Sequence, residues 1–210
     1  VSYSKFTVPR VEREFGLTTG VADLFAGVPP VEPSAVLTDG LAANVELALR
    51  QETEKARSEL IIAPVLAEVW RRADRRLAVF SGVLLDVDEA RSLNGVCDFL
   101  ITDSPPVVPV RAPILAVVES KRYELSSGYG QCAAALVAAP ELNRRKGTGR
   151  DAVYGACTTG TEWQFLRLAA ARLTLDARVY VLADLPRILG ILLAVCGFGP
   201  APLHPRPDAP

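Results

Sequence analysis

Two short apolar runs, each tied to a carboxylate, constrain this chain more than any other feature. Val96-Cys97-Asp98-Phe99-Leu100-Ile101 and Pro113-Ile114-Leu115-Ala116-Val117-Val118 are brief, rich in Val, Ile, Leu and Phe, and bounded by Gly or Pro. That composition predicts buried strands. Asp98 sits inside the first run, and the second leads directly into Glu119-Ser120-Lys121. Strand side chains alternate faces, so Glu119 and Lys121 should point to one side and Ser120 to the other. If the two strands pair, Asp98 lies beside Glu119. Two carboxylates and an ammonium then converge at the edge of an apolar sheet.

That arrangement has a chemical use. Mg²⁺ prefers carboxylate and water oxygens and keeps several of its waters. Two carboxylates on adjacent strands can anchor it, leaving positions for a phosphate oxygen and a water. A lysine beside it can orient that water, or take its proton if its own pKa is depressed. The competing reading is a structural ion pair between Glu119 and Lys121, with Asp98 ending a strand. Acidic-x-Lys is a frequent triplet, so these three residues alone favour the structural reading.

The bulk of the chain bounds the problem. Its 210 residues suit one domain, or one domain with an appendage. Half the residues are hydrophobic and 22% are charged, enough for a sizeable core. A formal net charge of −1 argues against a broadly basic nucleic-acid coat while leaving room for a local basic cleft. The four cysteines, Cys97, Cys132, Cys157 and Cys196, form no CxxC pair and lie in apolar contexts. They read as buried free thiols of a reducing, cytoplasmic compartment. Neither a signal peptide nor a lipidation or transit pattern is visible at the start.

Residues 1–40 read as an N-terminal arm packed on the core, with a short amphipathic helix over Val8–Phe15 and a Pro-rich break at Val28–Pro33. Two helices are expected next, Leu41 to about Leu49 and Glu52 to about Ala73, with a kink at Pro64. Helical spacing puts Glu59 on the apolar face of Ala56, Ile62, Ala63 and Leu66, where a carboxylate needs a partner. Its simplest partner is Lys55, in an i,i+4 pair. Arg71, Arg72, Arg75 and Arg76 read as a solvated helix end. Leu77–Val87 should be the first strand of the sheet, ahead of the Asp98 and Glu119 strands.

Ser126–Gly130 reads as a flexible lead into a helix from Gln131 to about Leu142, with Gln131 near its start, either capping it or pointing back at the carboxylates. Arg144, Arg145, Lys146 and Arg150 fall in a loop, where a charge run is usually solvated. Val153–Cys157 and Trp163–Leu168 form a predicted hairpin, and Val179–Leu182 a last strand. Leu185–Phe198 is too short to span a membrane and reads as a buried or dimer-facing helix, so a homodimer is compatible and membrane insertion is not expected. Residues 199–210 are Pro-rich and expected to be disordered; His204 lies there and is given no chemistry.

Twenty residues separate Asp98 from the Glu119-Ser120-Lys121 triplet, and Gly130-Gln131 opens the next helix. This order resembles the PD-(D/E)XK nuclease superfamily, with its restriction-endonuclease-like core, and more narrowly a family of bacterial proteins common in cyanobacteria. The stretches that carry the likeness are Glu54–Val69, Asn94–Ile101, Ile114–Arg122, Gly128–Ala139, Tyr154–Leu168 and Leu185–Leu193. The resemblance implies an α/β (α+β) domain over 41–198, a mixed central sheet flanked by helices. It implies Mg²⁺, with Mn²⁺ as substitute, on Asp98, Glu119 and the Ser120 carbonyl, and Glu59 joining from the first core helix. Asp98, Glu119, Lys121 and Gln131 would be the catalytic set, and the partner nucleic acid, DNA foremost. One branch of the superfamily has a tyrosine four residues after the glutamine; here that position is Ala135. Zn²⁺ is disfavoured because no His or Cys lies within the motif.

Three readings follow: a Mg²⁺-dependent phosphodiesterase, the same fold used as an inactive binding or assembly module, and an unrelated α/β protein with a chance acidic cluster. The complete Asp-Glu-x-Lys set favours the first, since a retired site is free to lose one of its members.

Overall fold

In the computed structural model, which describes residues 3–105, 110–150 and 152–203, an eight-stranded mixed sheet carries an apolar layer on each face. The strands are β1 (Thr18–Ala22), β2 (Ala78–Asp88), β3 (Leu93–Thr102), β4 (Ile114–Ser120), β5 (Ala152–Thr158), β6 (Glu162–Ala169), β7 (Arg172–Asp176) and β8 (Tyr180–Val181). Their order is β1-β7-β6-β5-β4-β3-β2, with β8 on β6. β1–β7 and β4–β5 are parallel and the remaining pairs antiparallel. Parallel neighbours need a crossover. Between β4 and β5 it is α5 (Ser126–Arg145), which is thereby laid across the sheet beside the end of β4.

Alternation along β4 sorts the core. Val118 packs with α2 (Ala35–Gln51), α4 (Ala63–Arg72) and α6 (Leu185–Val195), whereas Val117 packs with α5 and α1 (Val8–Phe15). Each fully buried aliphatic side chain of this kind contributes about 1.5–3 kcal/mol relative to exposure. α6 is buried from Ile188 through Val195, so its apolar length is spent inside the subunit. The four cysteines are buried free thiols. Among the described residues no helix is long and apolar enough to cross a membrane.

Local chemistry sets the element ends. Ser34, after Pro33, caps α2 by accepting Leu37 N–H, so this helix begins well before Leu41. Thr53 caps α3 (Glu54–Arg57) in the same way. α3 runs through a π turn (Ser58–Ile62) into α4, with Ala63 N–H reaching back five residues to the Ser58 carbonyl. The irregularity falls where Pro64 has no N–H to give.

Two strands escaped the sequence reading, β1 and β7. β1 is TTGVA with little burial; backbone pairing to β7 holds it, not an apolar face. Residues 126–130 are not a flexible lead but the first turns of α5. Gly130 is there because a Cβ would stand 2.2 Å from the Phe6 carbonyl oxygen: the helix crosses the N-terminal segment at backbone contact. Asn143, just past the predicted helix end at Leu142, is fully buried in the last turn of α5. Its amide donates to the Ile114 carbonyl at 2.9 Å and accepts Ile114 N–H at 2.7 Å, fixing the start of β4. Of the Pro-rich tail, residues 204–210, including His204, lie outside the described residues.

Arg71 and Arg72 are not merely solvated. Both donate to Glu68, whose side chain is 1% exposed and also accepts the N–H and hydroxyl of Ser34. Burial alone would raise this carboxyl, but the two guanidiniums and Ser34 outweigh it and bring its pKa down to about 2. Because the folded value lies below the ordinary 4.5, the stabilisation is present above pH 4.5 and lost as pH falls toward 2. Glu68→Gln should therefore lower stability at neutral pH by roughly 3 kcal/mol, as for breaking a buried ion pair. The deficit should shrink below pH 4.5, as acid-dependent chemical denaturation of both proteins would reveal.

Candidate active site

β3 and β4 pair from Thr102–Ile114 as far as Phe99–Val118, where the ladder ends. Past that point each strand keeps its outer neighbour, β2 for β3 and β5 for β4 up to Ser120. The sheet therefore opens into a fork between the two strands that carry the acidic residues. Asp98 bridges it: its Oδ2 accepts Ser120 N–H at 2.8 Å, replacing the inter-strand bond the fork removes.

Glu119 is fully buried. Its Oε2 accepts from Gln131 Nε2 at 2.6 Å, while its Oε1 is buried with no hydrogen-bond partner among the described residues. Burial drives its pKa well above the ordinary carboxylate value, the nearby Asp98 carboxylate and Cys132 add to this, and Lys121 opposes it. An orphaned carboxylate oxygen next to a second carboxylate is the pattern expected where a cation would complete the charge balance.

Lys121 and Gln131 hold the other side. Lys121 Nζ donates to the Ser120 carbonyl at 2.7 Å and to Gln131 Oε1 at 3.3 Å. An ammonium has three donors, so one remains for a ligand. Gln131 thus couples Glu119 and Lys121 through the two ends of one amide. It sits not at the helix start but in the second turn of α5, and it caps nothing. The turn before it comes close because Gly128 leaves room: a Cβ there would meet the Lys121 stem at 3.1 Å.

Asp98 and Ser120 also line a cleft of about 320 Å³, with Ser81 and Gly82 of β2 and Glu54, Lys55, Ser58 and Glu59 of the α3–π segment. Glu54 is the residue sequence reasoning missed. Burial raises its pKa, with Lys121 opposing, Asp98 adding, and the Arg122 backbone N–H donating to its carboxylate. It is therefore in electrostatic contact with both Asp98 and Lys121. No local signal marks it: in sequence it reads as an ordinary first-turn acid after the Thr53 cap.

Glu59 does not occupy the buried face expected of it. Its side chain is 61% exposed at the cleft rim, 3.0 Å from Lys55 in an i,i+4 pair. The π turn is the reason. The extra residue carries the buried face from Ala56 to Ile61 and Ile62, then to Val65, Leu66 and Val69, and rotates Glu59 outward.

Among the described residues no group of three or more His, Cys, Asp or Glu side chains is placed to hold a metal ion. Mg²⁺ is commonly held by one or two carboxylates with water completing the shell. Asp98, the orphaned Oε1 of Glu119 and the Ser120 carbonyl fit that donor set, hard oxygens with no thiol or imidazole among them. No family model, curated protein or solved structure matches this chain.

A consequence concerns the metal-free protein. The folded pKa of Glu119 is raised, so its stabilisation is full below pH 4.5 and lost as pH rises through the folded value. Glu119→Gln keeps an acceptor for Gln131 but removes the ionisation. In chelator-treated buffer at neutral pH it should melt higher than wild type, with the two converging below pH 4.5. A lower melting temperature for the variant at neutral pH would show that the carboxylate is already compensated.

Proposed function

We propose that this chain is a Mg²⁺-dependent phosphodiesterase acting on nucleic acid, a member of the PD-(D/E)XK nuclease superfamily with a restriction-endonuclease-like core. One observation carries the reading: a fully buried Glu119 with one oxygen unpartnered beside Asp98, coupled through Gln131 to Lys121. A purely structural ion pair would bring Lys121 onto Glu119. Instead the ammonium bonds the Ser120 carbonyl and Gln131, which leaves the carboxylate oxygen open.

Asp98, Glu119 and the Ser120 carbonyl would hold the ion. When bound it offsets charge on the phosphodiester and lowers the pKa of a coordinated water. The protein's own groups do the positioning. Asp98 is fixed by Ser120 N–H, and Gln131 fixes Glu119 and Lys121 together. The remaining Lys121 N–H is free to orient a water or a phosphate oxygen. Glu54, beside Asp98 on the cleft wall, adds negative charge that favours a cation over a bare phosphate until the ion is bound.

The test pairs metal binding with cleavage. Mn²⁺ titration by calorimetry should show Asp98→Asn binding at least about tenfold more weakly than wild type, the loss of one charged ligand. Lys121→Ala should keep its Mn²⁺ affinity but lose about 10²–10⁴-fold in cleavage of a mixed DNA and RNA panel. Folded Lys121→Ala cleaving at the wild-type rate, or equal Mn²⁺ affinity in Asp98→Asn, would remove the proposal. Hydrolysis absent from wild type with Mn²⁺ bound would leave a binding module.

A further inference from the structure

β2 lies at one edge of the sheet: it pairs with β3 on one side, and among the described residues no strand pairs with the other. Part of the backbone N–H and C=O groups of such a strand face outward, and proteins usually blunt the edge with charge, proline or a cover. The far end of β2 is blunted in this way. The Leu85 carbonyl accepts the Tyr3 hydroxyl at 2.9 Å, and the Val87 carbonyl accepts Arg145 at 2.7 Å. Residues 79–84 hold no charge and no proline, and Ser81, Gly82 and Leu84 among them are exposed.

Side-chain directions along this edge are set by Gly82, whose φ is +61°. Val79 and Ser81 face α4, whereas Val83 and Leu85 face α5. The irregularity at Gly82 therefore returns Leu84 to the α4 face. There it stands 60% exposed beside its cross-strand neighbour Val96, itself 53% exposed. On the same face a cavity of about 360 Å³ lies between α4 and the outer strands, walled by Ala63, Ala67, Trp70, Val79, Ser81 and Phe99. One edge thus carries both an apolar knob and an apolar hollow. Charge is divided along the strand as well: exposed Arg75 lies just before it, and exposed Asp86 and Glu89 lie at its other end.

We propose that β2 pairs antiparallel with the β2 of a second copy of this chain, joining two sheets edge to edge about a two-fold axis near Gly82. Opposed strand directions bring Arg75 of each copy toward Asp86 of the other, and Leu84 of each toward the other's hollow at Val79. The two-fold keeps both α4 faces on one side, so knob and hollow meet twice in an isologous contact. The uncharged residues meet in the middle. A parallel copy would instead set like charge against like. The inference does not rest on the phosphodiesterase reading.

Sedimentation velocity over a range of concentrations tests it on the full chain. Wild type should pass from monomer to dimer as concentration rises, with amide exchange at residues 79–84 slowing in step. Leu84→Lys should weaken the dimer at least about tenfold, since it would bury an unpaired ammonium at both copies of the contact. The variant monomer should melt as the wild-type monomer does, because Leu84 is exposed. Val36→Lys, at an exposed apolar position on α2, should dimerise as wild type does. Arg75→Glu and Asp86→Lys should each weaken the dimer about tenfold, and the double variant should recover it, which a folding defect would not do. A monomer at every concentration overturns the proposal and leaves the edge to a different chain. So does a dimer that Leu84→Lys leaves intact, one whose amides at 79–84 stay unprotected, or a double variant as weak as the single ones.

Discussion

The parting of β3 and β4 beyond Phe99–Val118 is the constraint on which the rest of the site depends. A continuous ladder would satisfy its own backbone and leave no reason for Asp98 to turn onto Ser120 N–H. Because each strand stays tied to its outer neighbour, the fork is held open by the sheet itself. The β4–α5–β5 crossover then sets a helix across its edge, and Asn143 at one end of that helix and Gln131 near the other fix both ends of β4. The acidic and basic groups are thus placed by backbone pairing and helix packing, not by their mutual attraction.

Burial gives that placement its chemical meaning. An exposed Glu119–Lys121 pair would be worth at most about 1 kcal/mol and would signify little. A carboxylate with no exposed surface and one orphaned oxygen is a cost the fold carries, one that a bound cation would relieve.

Much of this was legible in the sequence. The apolar runs around Asp98 and before Glu119 announced adjacent strands, and β2, β3 and β4 form the expected meander. The hairpin of β5 and β6 and the buried helix at Leu185 were equally visible, since short apolar runs between turn residues have few other uses. What escaped reading depended on contacts distant in sequence. Gly128 and Gly130 looked like a flexible stretch because the Lys121 stem and the Phe6 carbonyl that require them lie elsewhere in the chain. Glu59 read as buried because one π turn, invisible to a 3.6-residue count, rotates it outward, and Glu54, ahead of that turn, gave no sign of its place beside Asp98. β1 carries almost no apolar pattern, so only its pairing with β7 identifies it.

If the phosphodiesterase reading is right, the fork holds a divalent cation. A crystal of the wild-type protein soaked in Mn²⁺ and measured at the manganese absorption edge tests it most directly. One strong anomalous peak is expected, bounded by Asp98, the Oε1 of Glu119 and the Ser120 carbonyl, with Gln131 still on Oε2. A peak elsewhere, or an empty fork with Glu119 still partnered by Gln131 alone, would contradict it.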